Sequence, residues 1–448
     1  MGKLFGTDGI RGKANTYPMT ADIALKIGQA AAKTFRNKKK RARILIGKDT
    51  RVSGYMIEYA LTSGICSKGV DVLLVGPMPT PAIAHLTKSF AADCGIVISA
   101  SHNSYEDNGI KFFGPDGFKL DDEKEKEIEG LALNNDFDTS NFSGEKIGKA
   151  YRIDDAAGRY IEFAKSSIRN KSLEGLKIVI DTANGAAYKI APMIFDELGA
   201  EVIVVNNRPN GININKKCGA TYPETIKHAV SQVKADVGIA LDGDADRVIM
   251  VDENGEELDG DHIIAIAADY FKKKNRLIGN TVVSTVMSNL GLRKFLEEKD
   301  IGYVETKVGD RYVVEEMRKN GQVIGGEQSG HIIFSKYTTT GDGTITALQI
   351  LNIMKKEDKK LSDLRKKLIK YPQVLKNVKV DNKVPLEEIE KLQLKIKEFE
   401  KKLGDEGRML IRYSGTENLC RVMIEGKDEK EIEEMCDSLC KIIEEETR

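Results

Sequence analysis

The 448-residue chain lacks a net charge, because 69 Lys and Arg balance 69 Asp and Glu. Without a long-range field of one sign, a nucleic-acid partner is not expected, and any anion must be handled by local clusters. No apolar run approaches membrane-spanning length, and the opening MGKLFGTDGIRG holds no apolar core of signal-peptide length. Cysteine is sparse, with residues at 66, 94, 218, 420, 436 and 440. None forms a CxxC motif, and so few in so long a chain make no disulfide framework. Cys436 and Cys440 stand among Ile432, Met435, Leu439 and Ile443 at helical spacing, which predicts packing rather than metal binding. The expectation is a soluble, cytoplasmic protein with no membrane or nucleic-acid partner.

What is present is ordinary globular composition, 41% apolar and 31% charged. Length alone predicts about three domains. Short β-branched runs alternate with helical stretches, which predicts α/β units with parallel sheets. Strands are expected at 43–47, 70–76 and 94–99, then at 176–181, 201–206 and 236–241, then at 280–286, 302–307 and 322–326, with a helix over 55–68. The last part differs, with strands at 377–382, 408–413 and 420–426 and a helix presenting Leu386, Ile389, Leu392, Ile396, Phe399 and Leu403. That is a small α+β domain after a linker near Tyr371-Pro372. Four divisions follow: 1–150, 151–256, 257–370 and 371–448. The run DDEKEKEIEG (121–130) reads as a solvated helix face, and KKKRAR (38–43), without interleaved aromatics, as a helix end and strand start.

Open α/β sheets bind ligands beyond the carboxyl ends of their strands. After the strand at 94–99 comes a polar loop with Ser101, His102, Asn103 and Ser104, then Asn108-Gly109 and Lys111. The loop alone reads as a turn, although Lys111 stands where it can return as a phosphate ligand or proton carrier. After the strand at 236–241 come Asp242, Asp244 and Asp246, separated by Gly243 and Ala245. Three carboxylates this close repel one another unless a cation neutralises them, which favours a divalent metal over a solvated acidic turn, and oxygen ligands favour Mg²⁺, Mn²⁺ or Ca²⁺ over zinc. An EF-hand is excluded, because its obligatory sixth-position Gly is Arg247 here and the flanks read as strands. In VIGGEQSGHIIF, Glu327, Ser329 and His331 suit either a sugar's hydroxyls or an ordinary hairpin turn. In IRYSGTENLCRVMIEG, Arg412, Ser414, Gly415, Thr416 and Arg421 together suit a phosphate, although Arg421 alone fits a surface arginine of a strand–turn–strand.

In order, FGTDGIRG (5–12), IGKDTRVSGYM (46–56), ISASHN, DGDADR, GEQSGH and RYSGTEN resemble the α-D-phosphohexomutase superfamily over nearly the whole chain. GEQSGH and VGDRYV (308–313) resemble its glucosamine branch. The chain departs from the common pattern at Ser104, Tyr413 and Asn418, where many relatives carry proline. The resemblance implies three related α/β-sandwich domains with mixed or parallel sheets and a C-terminal α+β, TATA-box-binding-protein-like domain around a central cleft. It implies that Ser101 is a phosphoserine and that Asp242, Asp244 and Asp246, with the serine phosphate, hold one Mg²⁺. Glu327 and Ser329 would then grip the sugar, while Arg412, Ser414, Gly415, Thr416 and Arg421 anchor the non-reacting phosphate. Arg11, Lys111, Arg247 and His331 match positions for charge stabilisation or proton transfer.

The implied reaction interconverts hexosamine 6- and 1-phosphates through a glucosamine or glucose 1,6-bisphosphate that serves as intermediate or activator. It would feed UDP-N-acetylglucosamine and cell-wall precursor synthesis. An activating kinase or a bisphosphate would first phosphorylate Ser101, and a homodimer is compatible with this reading. Three alternatives stand beside it: a phosphomannomutase/phosphoglucomutase with the same chemistry, a non-catalytic sugar-phosphate-binding protein, and a metal-dependent phosphatase.

Overall fold

A computed structural model describes residues 4–6, 8–36, 41–134, 142–414 and 418–447. The chain divides into two compact units, Met1–Val286 with Ile301–Lys367, and Met287–Asp300 with Leu368–Arg448.

The first unit is built on three sheets. The first runs Phe5–Gly6, Gly9–Lys13, Asp107–Phe113, Cys94–Ile98, Arg43–Lys48, Asp71–Pro77, Ala150–Arg152. Its middle strands are parallel, and they are buried because helices such as Ala21–Phe35 and Ser53–Ser67 cover them with Ile23, Ile27, Ile57, Leu61 and Ile65. Ala150–Arg152 pairs parallel to Asp71–Pro77, so this sheet continues past the division expected at 150. The second sheet runs Glu257–Leu258, Val248–Asp252, Val237–Leu241, Lys177–Asp181, Glu201–Val205. The third runs Gly302–Thr306, Thr281–Thr285, Ile324–Gly326, Ile332–Phe334.

Alternating runs predict parallel sheets and the resemblance mixed or parallel ones; each sheet of the first unit is mixed, its parallel strands bordered on one side by an antiparallel hairpin. Cys94–Ile98 pairs antiparallel with Asp107–Phe113, Val237–Leu241 with Val248–Asp252, and Ile324–Gly326 with Ile332–Phe334. In each case a strand from the parallel part of the sheet turns back on itself, and the turn lies beyond its carboxyl end. This repeated device positions the site loops.

The second unit is an antiparallel sheet, Gln373–Lys379, Leu419–Glu425, Arg408–Tyr413, packed by the helices Glu390–Leu403 and Glu429–Glu446. Ile432, Met435, Cys436, Leu439 and Ile443 are buried against Val422 and Ile424, as their spacing predicts. Helix Leu290–Glu298 also belongs here: the Glu425 carboxylate, fully buried, accepts from the Leu290 N–H at 2.9 Å and from Arg408 Nε at 2.6 Å.

Two expectations need correction. The helix expected from Leu386 begins at Glu390, because Ile389 is extended (φ −84, ψ 91) and Leu386–Glu388 forms a separate short turn. The run at 121–130 is helical but not simply solvated. Glu129 turns inward to accept from the N–H groups of Leu4 (2.7 Å) and Phe5 (2.9 Å), and Glu125 pairs with Arg311 at 2.9 Å. Residues 38–40 of KKKRAR lie outside the described residues. Among the described residues, no helix is long and apolar enough to cross a membrane.

Candidate active site

The hairpin turns of the first two sheets meet. Ser101 follows Cys94–Ile98 in a left-handed conformation (φ 51) and donates its Oγ proton to Asp242 Oδ2 at 2.7 Å. A non-glycine residue in this region is strained, and surrounding contacts must hold it there. Asp242, Asp244 and Asp246 are buried, and each offers an oxygen within 4.8 Å of the others. Lys111 sits on the return strand opposite Val97, which carries its Nζ to 3.3 Å from Asp244 and 3.8 Å from Asp246. Thr80, at the start of helix Thr80–Ser89, donates to Asp244 Oδ2 at 2.7 Å.

The electrostatics fit a cation. Burial, then the carboxylates of Asp246 and Asp244, push Asp242 well above the usual carboxylate range. Burial, then Asp244, raises Asp246 as well. Asp244 moves the other way: burial opposes its charge, but Lys111 and the Thr80 hydroxyl outweigh burial and hold it low. Burial works against the Lys111 ammonium too, yet Asp244 and Asp8 together raise it above its ordinary value. One lysine does not neutralise three carboxylates, and the buried Oδ1 atoms of Asp244 and Asp246 have no hydrogen-bond partner. Orphaned hard oxygens in a buried, like-charged cluster are what Mg²⁺-type coordination satisfies.

The third hairpin brings His331 to the same place. Its Nε2 lies 3.5 Å from Asp310 and 3.9 Å from Asp246, and Arg247 forms a backbone bridge to it. Glu327 accepts from the Gly309 N–H at 3.1 Å, and Ser329 Oγ lies 3.4 Å from Glu327 Oε2. Arg11 pairs with Asp8, and Arg247 Nε lies 3.9 Å from Asp246. His102 is driven down to about 4, by burial first and then by Arg247 and Arg11, so its imidazole is neutral at pH 7.

The residues expected to hold phosphate lie in the second unit. Arg412 and Arg421 stand directly opposite across the ladder of Arg408–Tyr413 and Leu419–Glu425, so their side chains share a face. Burial, then Arg421, lowers Arg412 below its ordinary value, a pairing of like charges that an anion relieves. Ser414 follows the strand and is 4% exposed. Gly415 and Thr416 lie outside the described residues.

Sequence reasoning missed a second tier of charge. Lys119 Nζ lies 2.5 Å from Asp8 and also pairs with Asp310, and Lys111 lies 3.2 Å from Asp8. These pairs form a partly buried chain from Lys111 to His331. The only sequence signal was the charged residue inside FGTDGIRG and VGDRYV, motifs noted for resemblance and not for chemistry.

A buried hydroxyl beside a metal-binding carboxylate triplet, with a lysine in reach, is the equipment of a metal-assisted phosphoryl-transfer enzyme. Family models for phosphoglucomutase/phosphomannomutase match the chain as alpha/beta/alpha domain I at residues 2–139, domain II at 158–255, domain III at 259–371 and the C-terminal domain at 375–442. The chain belongs to this family and is a phosphohexomutase, an isomerase that works by phosphoryl transfer. It is 56% identical to the phosphoglucosamine mutase of Geotalea uraniireducens, over 99% of this chain and 98% of that one. The crystal structure of a phosphoglucomutase/phosphomannomutase family protein from Burkholderia thailandensis shares its fold, with a TM-score of 0.80 and 24% identity over 99% and 97% of the two chains. So does N-acetylphosphoglucosamine mutase of Aspergillus fumigatus, solved with GlcNAc-6P and magnesium, at a TM-score of 0.69 and 18% identity over 100% and 96%.

Proposed function

We propose that this chain interconverts glucosamine 6-phosphate and glucosamine 1-phosphate, with Ser101 as the phosphoryl carrier. The observation that carries this reading is the Ser101 Oγ placed 2.7 Å from Asp242, within a carboxylate triplet that Lys111 approaches to 3.3 Å. The choice of an amino sugar rests on the relatives, which are phosphoglucosamine mutases. Asp242, Asp244 and Asp246, with the phosphate on Ser101, would hold one Mg²⁺ per chain. When bound, that ion neutralises the carboxylates and polarises the phosphoryl group.

In this reading the bond from phosphorus to Ser101 Oγ breaks as a bond to the sugar's 1-hydroxyl oxygen forms. The hydroxyl proton is lost to a neighbouring base, and Oγ regains a proton. Lys111 and His331 are the candidates for these proton transfers, Lys111 as a donor to Oγ since its ammonium is held charged, and Arg11 and Arg247 balance the charge of the transferring group. The 1,6-bisphosphate then turns around, and its 6-phosphate returns to Ser101. Glu327 and Ser329 hold sugar hydroxyls, and Arg412, Ser414, Gly415, Thr416 and Arg421 hold whichever phosphate is not reacting. Arginine suits that task because it stays charged and binds phosphate with two donors.

Two measurements test this. Rates on glucosamine, glucose and mannose 6-phosphates, measured side by side, should favour glucosamine; a preference for mannose or glucose moves the chain to the other branch. Arg412→Ala should raise KM for the sugar phosphate roughly 10- to 100-fold, the loss of a charge-assisted hydrogen bond of about 1.5–3 kcal/mol. An unchanged KM removes Arg412 from the clamp. First phosphorylation of Ser101 by a kinase or a bisphosphate, a cytoplasmic site of action, a supply role for cell-wall precursors, a homodimer and the four-part division, with the first part extended through Arg152, belong to the same proposal.

A further inference from the structure

Ser101 holds a strained conformation, and the residues that hold it come from two different sheets. Arg51 follows the strand Arg43–Lys48 and is fully buried. Its Nε donates to Asp49 Oδ2 at 2.8 Å, and its Nη2 donates to the carbonyls of Ser101 and Asn103, both at 2.9 Å. Its Nη1 reaches the carbonyls of Ser104 and Asp107. One guanidinium therefore gathers the carbonyls of the whole turn.

The same two carbonyls receive a second donor. Asn215, in the loop between Glu201–Val205 and Glu224–Val233 of the second sheet region, donates its Nδ2 to Ser101 O at 2.8 Å and to Asn103 O at 3.0 Å. The aspartate turn is wedged against this contact: a Cβ on Gly243 would stand 2.6 Å from Ser101 O and 2.7 Å from Asn215 Nδ2. Behind the turn, Ser99 Oγ donates to Asp49 Oδ2 at 2.7 Å and accepts from the Ser101 N–H at 2.9 Å. The Ser101 peptide is thus held at both its N–H and its carbonyl, while its side chain points to Asp242.

We propose that Arg51 and Asn215 are positioning residues for phosphoryl transfer. They fix the Ser101 peptide in its left-handed conformation, and Asn215 sets the register between the serine turn of one sheet and the aspartate turn of the next. Neither touches the reacting atoms; they act through the Ser101 and Asn103 carbonyls. This inference rests on Ser101 being the phosphoryl carrier.

The test uses the full-length enzyme with Mg²⁺ and glucose 1,6-bisphosphate as phosphoryl donor. Asn215→Ala should slow phosphorylation of Ser101, followed by intact mass, roughly 10- to 100-fold, the cost of misplacing a reacting atom by about 1 Å. KM for the sugar phosphate and the Mg²⁺-dependent rise in Tm should stay near wild type. Arg51→Lys keeps the charge opposite Asp49 but lacks the fork that reaches four carbonyls, so it should show the same split. Wild-type phosphorylation rates in both variants overturn the proposal. So does a parallel loss of rate, Tm and Mg²⁺ response, which marks the contacts as structural only. If wild-type enzyme takes its phosphate at a residue other than Ser101, the proposed function itself fails, and that result is read from the wild type and not from the variants.

Discussion

Ser101→Ala should abolish the phosphorylated form of the enzyme and slow turnover by at least on the order of 10⁴-fold, the scale of losing a covalent nucleophile. The expectation has a specific competitor. Thr80 also places a hydroxyl against the triplet, 2.7 Å from Asp244 Oδ2, so proximity alone does not choose between them. Their backbones do. Thr80 opens a helix, where its N–H also bonds the Asp244 carbonyl at 2.9 Å, and it serves as a fixed partner that keeps Asp244 ionised. Ser101 sits in a turn at φ 51, held on both sides of its peptide, with its hydroxyl directed at the one aspartate pushed well above its usual range. Strain of this kind persists where a side chain must be aimed. Intact-mass measurement after incubation with glucose 1,6-bisphosphate should show one added phosphoryl group on wild type and on Thr80→Val, and none on Ser101→Ala. Phosphate retained by Ser101→Ala and lost from Thr80→Val would transfer the role to Thr80.

The sequence made parts of this site legible for local reasons. A strand's carboxyl end followed by a polar turn is a contiguous signal, and it marked the aspartate triplet; the Ser101 and Glu327–His331 loops read equally well as turns, and only the resemblance gave them roles. The triplet was clearest, since three carboxylates in five residues repel one another, and their burial excludes the solvated turn that the residues alone left open. Lys111 was harder, because only the antiparallel return of Asp107–Phe113 brings it back to the aspartates. Asp8 and Asp310 showed only as charged residues inside two motifs, and Lys119 not at all. Asp8 sits in a turn, Lys119 in an isolated bridge to Phe113 and Asp310 at a helix start, and their chemistry exists only because residues more than a hundred positions apart become neighbours. Glu125 and Glu129 misled for the same reason: a charged run looks solvated until its distant partners, Arg311 and the Leu4 and Phe5 amides, are known. The parallel strands were legible and their antiparallel edges were not, since apolar runs report burial and not direction.

Chelating divalent cations should abolish turnover, and Mg²⁺ should restore it, but the protein's stability offers an independent reading of the same site. The three aspartate oxygens lie within 4.8 Å of one another, where each like-charged pair at an effective dielectric of 20 costs roughly 3–4 kcal/mol. Lys111 offsets part of this and leaves two orphaned oxygens. A cation that binds only the folded chain therefore stabilises it in proportion to the logarithm of its concentration, and Tm should climb with added Mg²⁺. Asp242→Asn separates the two contributions. The folded-state pKa of Asp242 is raised, so this carboxyl favours folding only below its ordinary unfolded value, near 4, and opposes folding as pH rises through the shifted one. At neutral pH in EDTA the variant should therefore melt no lower than wild type, since it sheds a repelling charge and keeps one acceptor oxygen. Its Mg²⁺-dependent rise in Tm should nevertheless vanish together with turnover, and the stability gain in EDTA should fade below about pH 4. A variant that melts lower in EDTA and still responds fully to Mg²⁺ would show that Asp242 is a structural acid and that the cation is held elsewhere.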